Sequence, residues 1–161
     1  MSFRIRSYQQ ADKPTVLALS MRAWNPVFAK LEPAVPGYVY RAFFPHGWQS
    51  RQAADIETFL DSEGDLVCVA VSGETILGWV GIRLHPADSM GEIYILAVDP
   101  KHQRRGVATA LIDAAMMKMR GAGMAIAMVE TGDDPGHTPS RTTYESAEFE
   151  RWPVARYFRK L

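Results

Sequence analysis

One segment constrains this chain more than any other: Ile95-Leu96-Ala97-Val98-Asp99-Pro100-Lys101-His102-Gln103-Arg104-Arg105-Gly106-Val107-Ala108-Thr109. It carries an apolar strand into a helix through a basic turn. After Glu92, the residues Ile93, Tyr94, Ile95, Leu96, Ala97 and Val98 are consecutive and apolar. Such a short run, rich in β-branched and aromatic side chains, suits a strand covered on both faces. Asp99-Pro100 ends it, because proline donates no ladder hydrogen bond. From Val107 the period changes. Val107, Leu111, Ala115 and Met119 recur at i, i+4, with Ala108 and Ile112 beside them, which is the apolar stripe of a helix. Gly121 and Gly123 follow, where a left-handed C-cap forms easily.

The turn at 103–108 therefore opens onto a helix N-terminus, where unpaired N–H groups and the positive end of the macrodipole attract anions. Gly106 and the small Ala108 let a ligand approach the backbone closely. Lys101, Arg104 and Arg105 add positive charge to a chain whose formal net charge is +0, so the cluster is local. Cations at a helix N-terminus oppose the dipole by ~0.3–1 kcal/mol each, and a bound anion reverses that sign. Neither G-x-x-x-x-G-K-[ST] nor a post-strand G-x-G-x-x-G occurs. The turn points to a pyrophosphate-bearing ligand held in another way.

At 161 residues, 47% hydrophobic and 22% charged, the chain is expected to form one domain over 1–161 with a single core. Zero net charge and a pI near 6.9 argue against a nucleic-acid partner. No apolar run reaches the ~18 residues of a membrane span, and the N-terminus lacks a signal-peptide apolar region. The single cysteine, Cys68, excludes an internal disulfide and reads as an inert, buried thiol. His46, His85, His102 and His137 have no metal-ligand spacing, so no metal is expected. These features together predict a cytoplasmic protein.

Along the chain, Phe3 to Tyr8 alternates as a strand. Asp12 reads as an N-cap for a helix over 13–24. Residues 25–48 are a loop-like stretch crowded with prolines and aromatics, and 49–61 a second helix. A strand over 66–71, a Ser72-Gly73 turn and a strand over 75–84 make a hairpin. After the central strand and helix come a strand at 124–130, a polar loop at 131–139, a helix near 140–147 and a strand-like end at 155–161. The predicted class is mixed α/β: an antiparallel meander crossing into a parallel pair through one helix.

The hexapeptide Gln103-Arg104-Arg105-Gly106-Val107-Ala108 fits Gln/Arg-x-x-Gly-x-Gly/Ala. With the preceding Ala97-Val98-Asp99-Pro100 and the following helix, it resembles the pyrophosphate loop of the GNAT superfamily of acetyl-CoA-dependent N-acyltransferases. Thr142-Thr143-Tyr144-Glu145-Ser146-Ala147-Glu148-Phe149 is similar to the family's Leu-Tyr-Glu-Lys-x-Gly-Phe segment, and Tyr157 to Leu161 to its closing strand. Glu148 stands where the family usually has glycine. His137 falls where many members place an asparagine that contacts pantetheine.

The resemblance implies a largely antiparallel sheet, flanked by helices, with one parallel strand pair splayed around the thioester. It implies acetyl-CoA as co-substrate, pantetheine on the backbones of Leu96, Ala97 and Val98, and His137 near that arm. Pyrophosphate would be held by Gln103, Arg104, Arg105, Gly106, Val107, Ala108 and Thr109. Tyr144 matches the general-acid position; a phenol with an ordinary pKa of about 10 can protonate a departing thiolate of about 8.5. Two carboxylates are candidate bases, Glu92 before the apolar run and Glu130 at the end of the neighbouring strand, with the reading leaning to Glu130. Asp133, Asp134 and His137 are weaker candidates.

The aromatics of 25–48, among them Trp24 at its border, Phe28, Tyr38 and Phe43, are expected to wall an acceptor pocket or a homodimer surface. The acceptor would be the primary amine of a small molecule or peptide. The alternative is a non-catalytic acyl-CoA-binding or sensing module.

Overall fold

The computed structural model describes residues 2–161. A five-stranded sheet has its strands in sequential order: β1 (Arg4–Ser7), β2 (Val67–Ser72), β3 (Thr75–His85), β4 (Met90–Val98) and β5 (Ile126–Val129). The first three pairings are antiparallel and β4–β5 is parallel. Helices α1 (Lys13–Leu31), α2 (Gly37–Phe43) and α3 (Trp48–Glu63) separate β1 from β2. Helix α4 (Val107–Gly121) makes the crossover from β4 to β5, and α5 (Thr138–Ser146) follows. The expected mixed α/β class and the parallel pair are both present.

β4 is covered on both faces, as its unbroken apolar run requires. On one side Ile95 and Ala97 join Val69 and Trp79 against Val16 and Leu19 of α1 and Ile56, Phe59 and Leu60 of α3. On the other, Ile93 and Val98 join Val80 and Ile82 against Val107, Leu111, Ile112, Ala115 and Met119 of α4. The indole N–H of Trp79 donates to Ser20 Oγ (2.9 Å), which donates to the Val16 carbonyl (2.7 Å). This satisfies a polar group that would otherwise be buried alone.

Three expectations need correction. Residues 25–31 and 37–43, expected as loop, are helical. Helix α1 runs through Pro26, losing only the N–H that would have met the Arg22 carbonyl, and its far half is kept by packing of Phe28 on Trp48 (centroids 4.4 Å, planes 7° apart). Asp12 does not cap α1. Its carboxylate accepts from the Gln9 amide (2.8 Å) and from both terminal nitrogens of Arg6 (2.7 and 2.8 Å), closing the turn before the helix. The segment 155–161 forms no strand and is exposed throughout. Instead of pairing through its backbone, it is tied by side chains: Arg156 to Glu130 (3.4 Å) and Phe158 edge-on to Phe43 (5.8 Å).

Candidate active site

The site begins with a fault in the sheet. In the β3–β4 register Gly81 faces Ile95 but Ile82 faces Ile93, so Tyr94 is an extra residue in β4. Such a bulge bends its strand and re-aims side chains. Ile93 consequently points to the α4 face, while Ile95, two residues on, points to the face of α1 and α3. The parallel pairing to β5 stops at the same place, with Ile93↔Val129 as its last pair. Beyond it β4 continues to Val98, while the chain leaving β5 turns away towards α1. There Gly136 is buried so closely against the Val27 carbonyl that a Cβ would collide with it. The two parallel strands form a fork.

The backbone lining one arm of the fork faces away from β3. The Asp99 amide donates to the Leu77 carbonyl on the β3 side (2.9 Å). Strand groups alternate in direction, so those of Val98 and Leu96 point away from β3, into the fork. The Gln103 amide nitrogen accordingly reaches the Val98 carbonyl from that side (3.1 Å). Gln103 thus fastens the turn to the strand. Ala97 is buried against the α1 and α3 face.

The turn closing the fork has anion-binding geometry. Arg104 (φ 60°) and Gly106 (φ 78°) both lie in the left-handed region. Alternation of this kind turns successive amides inward to form a nest. The first helical bond of α4 runs from the Ala110 amide to the Gly106 carbonyl (3.1 Å), so the amides of Val107, Ala108 and Thr109 have no preceding turn to bond. Arg104 and Arg105 are exposed beside them. Asp99 braces the turn. It accepts from the Lys101 amide (3.0 Å) and from Arg22 of α1 (2.6 and 3.0 Å). Burial opposes its charge, but these donors outweigh that and hold its carboxyl below the usual range.

Tyr144 lies on the α4 side, half-buried in that apolar cluster. Its place is fixed by the end of α5. The Phe149 amide donates to the Tyr144 carbonyl and the Glu148 amide to the Glu145 carbonyl (both 3.1 Å), which is a Schellman motif, with the Tyr144 and Phe149 rings in edge contact at 5.9 Å. Burial pushes the Tyr144 phenol up to about 12. Glu148 takes the left-handed position (φ 63°), so the backbone keeps a glycine conformation without a glycine.

The two candidate bases sit in opposite surroundings. The Glu130 side chain is 73% exposed, beyond the last β5 pair, with Arg156 as partner. Glu92 is 18% exposed and bonded through Oε2 to His85 Nε2 at 2.7 Å. Its neighbours Gly91 and Ile93 face α4, so Glu92 points to the α1 and α3 face, one residue before the fork opens. Asp134 is engaged by His137 Nδ1 (2.6 Å) and the Gly136 amide (2.9 Å), and Asp133 by Arg151 (2.7 Å). His137 is half-buried at the start of α5.

A shallow, open depression of about 370 Å³ lies between α1 and the start of α3, lined by Met21, Arg22, Asn25, Trp48 and Gln49. Arg22 joins it to the β4 end through Asp99. The four aromatics expected to wall the acceptor do not line it. Phe28 stacks behind Trp48, Trp24 packs against the α1–α3 core, Tyr38 is half-buried on α2, and Phe43 is exposed under Arg51 (5.4 Å). Met21, Arg22 and Gln49 were missed. Met21 and Arg22 lie within the helix predicted over 13–24 and Gln49 on α3; what brings them together is the packing of α3 on α1, which the sequence does not display.

The comparisons with known proteins agree with this geometry. Residues 37–149 match the model of the Acetyltransferase (GNAT) family, and the chain belongs to that family. Mycothiol acetyltransferase of Saccharopolyspora erythraea is 34% identical over 127 residues, covering 75% of this chain and 41% of the relative. The chain thus spans about two-fifths of that relative's length. A chain described as a GNAT-family acetyltransferase from Desulfovibrio desulfuricans superposes with TM-score 0.74 at 19% identity, covering 98% of this chain and 91% of that one. The aminoglycoside acetyltransferase AAC(6')-Iy, solved with a CoA-containing bisubstrate analogue, has TM-score 0.65 at 19% identity, covering 100% and 99%. Among the described residues no helix is long and apolar enough to cross a membrane, and no cluster of side chains could hold a metal ion.

Proposed function

We propose that this chain transfers the acetyl group of acetyl-CoA to a primary amine of a small molecule or peptide by direct attack on the thioester. The fork carries the proposal: β4 and β5 part after Ile93 and Val129, and an anion nest closes the gap. The donor enters from the α4 and α5 side. Its pyrophosphate sits on the amides from Arg105 to Thr109, and its pantetheine pairs with Leu96 and Val98. An amide on the β4 arm donates to the thioester oxygen as charge develops there. Tyr144, on that same side, is protonated at any physiological pH and returns a proton to the departing sulfur.

The amine approaches from the opposite face of β4, the face of α1 and α3. Glu92 takes up its proton there. This choice favours Glu92 over Glu130, whose exposed carboxylate is already matched to Arg156. No acetyl-enzyme intermediate forms. Burial raises the pKa of Cys68, the one thiol of the chain, which makes its thiolate scarce. The cytoplasm, where that thiol stays reduced, is the proposed setting.

The test is calorimetry of the protein with acetyl-CoA, followed by a primary-amine panel read by release of free CoA thiol. Micromolar binding, lost in an Arg105→Glu/Gly106→Trp variant, together with turnover of at least one amine is the expected result. Absence of binding by the intact protein refutes it.

A further inference from the structure

We propose that His85 is the positioning partner of Glu92, carrying the acceptor's proton from Glu92 out to water; this rests on the acetyl-transfer reading above. Three observations converge on it. The first is contact: His85 Nε2 and Glu92 Oε2 are 2.7 Å apart, within direct proton-transfer distance. The second is a gradient of exposure. The Glu92 side chain is 18% exposed and that of His85 is 38%, so the pair runs from beside the fork to solvent.

The third is the cation that is absent from Glu92. Arg83 stands directly opposite Glu92 in the β3–β4 register. A guanidinium on Glu92 would hold the carboxylate ionised and make it a poor proton acceptor. Arg83 is drawn elsewhere. Its Nε donates to Glu63 at the end of α3 (2.9 Å), and its guanidinium carbon lies 3.5 Å from the centre of the Tyr94 ring. Tyr94 reaches that face because it is the bulge residue. The fault that opens the fork thus also occupies the permanent cation. What remains against Glu92 is an imidazole, a group able both to accept and to release a proton. The other charged and titratable groups on this patch are Arg83, Glu63 and Tyr94.

The balance is simple. An ammonium and a thioester give an amide, a thiol and one proton. One N–H bond breaks as the proton passes to a Glu92 oxygen, freeing the lone pair that attacks. Glu92 hands that proton to Nε2 of His85 in its Nδ1–H tautomer, the imidazolium releases its Nδ1 proton to water, and proton exchange of the part-exposed ring with water returns it to the Nδ1–H tautomer. Glu92 is again a carboxylate and His85 neutral. The C–N bond forms and the C–S bond breaks; the departing sulfur takes the Tyr144 proton, and the second nitrogen proton, lost to water, is matched by the one that water returns to Tyr144.

His85→Gln and His85→Ala separate transfer from support, because glutamine can still hydrogen-bond Glu92 but cannot carry a proton. The expected result, with the best amine of the panel, is a fall in kcat of at least 10-fold in both variants. KM for the amine and acetyl-CoA affinity should stay within 2-fold, and the acid limb of the pH profile should move in both. Added imidazole should restore His85→Ala several-fold. A kcat within 2-fold of the parent in both variants, or full rescue by glutamine, overturns the relay. Full activity in Glu92→Gln overturns it too while leaving acetyl transfer standing. An intact protein that binds acetyl-CoA yet acetylates no amine removes the transfer reading itself, and the relay with it.

Discussion

Replacing Glu148 by glycine should stabilise the protein, and the reason lies in one dihedral angle. Glu148 is the residue after the α5 C-cap, with φ 63°. An L-residue there brings its Cβ close to the following carbonyl, at roughly 1–2 kcal/mol. Glycine removes that clash but frees the unfolded chain, which returns about 0.4–1 kcal/mol. The net gain is about 0.5–1 kcal/mol, or a rise in Tm of about 1–4 °C for a chain of this size. The bonds of the motif, Phe149 to Tyr144 and Glu148 to Glu145, are backbone bonds that glycine preserves. Thermal and urea unfolding measure the gain, and the urea m-value should not change. Glu148→Ala is the control, since alanine keeps the Cβ and should gain nothing. If alanine stabilises as much as glycine, the effect belongs to the lost charge and the dihedral argument is wrong. If glycine destabilises, the Glu148 side chain supports the motif by contacts outweighing its strain.

Tyr144→Phe should flatten part of the alkaline loss of stability. The folded phenol ionises near 12 against 10.0 when free, so its contribution is intact below about pH 10 and is lost between about 10 and 12, by up to ~2.7 kcal/mol. Urea midpoints of the two proteins from pH 9 to 11.5 should converge or cross over that range. Gly106→Ala forces a Cβ into the left-handed N-cap of α4 and should cost about 1 kcal/mol in unfolding experiments, with acetyl-CoA affinity down at least 10-fold by calorimetry. Ser20→Ala leaves the Trp79 indole N–H buried without its acceptor, for a loss of about 1–3 kcal/mol in urea unfolding. Adding Trp79→Phe to that variant should then cost less than Trp79→Phe alone.

Most of β4 and α4 was legible because each is set by local physics. The bounds of β4, from Met90 to Val98, and the start of α4 at Val107 follow from a change of hydrophobic period across Asp99-Pro100. What was not legible is set at a distance. Pro26 reads as a helix end, yet the Phe28–Trp48 stack carries α1 past it. The segment 155–161 has the composition of a strand, but a strand exists only where a partner edge accepts its backbone, and here Arg156 and Phe158 engage side chains. The β4 bulge left no local mark in the sequence, because a register shift belongs to two strands at once. The placement of Phe28 was hidden for the same reason: in a helical α1 it turns behind Trp48.

The bulge also organises the proposed chemistry. One extra residue in β4 separates the side chains before it from those after it, so the strand serves both faces within a few residues of the fork. On the α4 face lies Tyr144, whose raised pKa keeps it a proton donor. On the α1 and α3 face lie Glu92 and His85, a pair able to take a proton and pass it to solvent. Acid and base are then separated by the sheet itself, which prevents them from neutralising each other directly. The fork is the opening in the sheet through which thioester and amine can meet. A flat, unbulged β4 would keep its ladder to β5 and leave no such opening. Restoring the regular register by deleting Tyr94 should therefore abolish acetyl transfer while the nest at Arg104 to Gly106, built from local backbone, still binds the pyrophosphate of CoA. Loss of both together would show that the turn depends on the fork and is not an independent anion site.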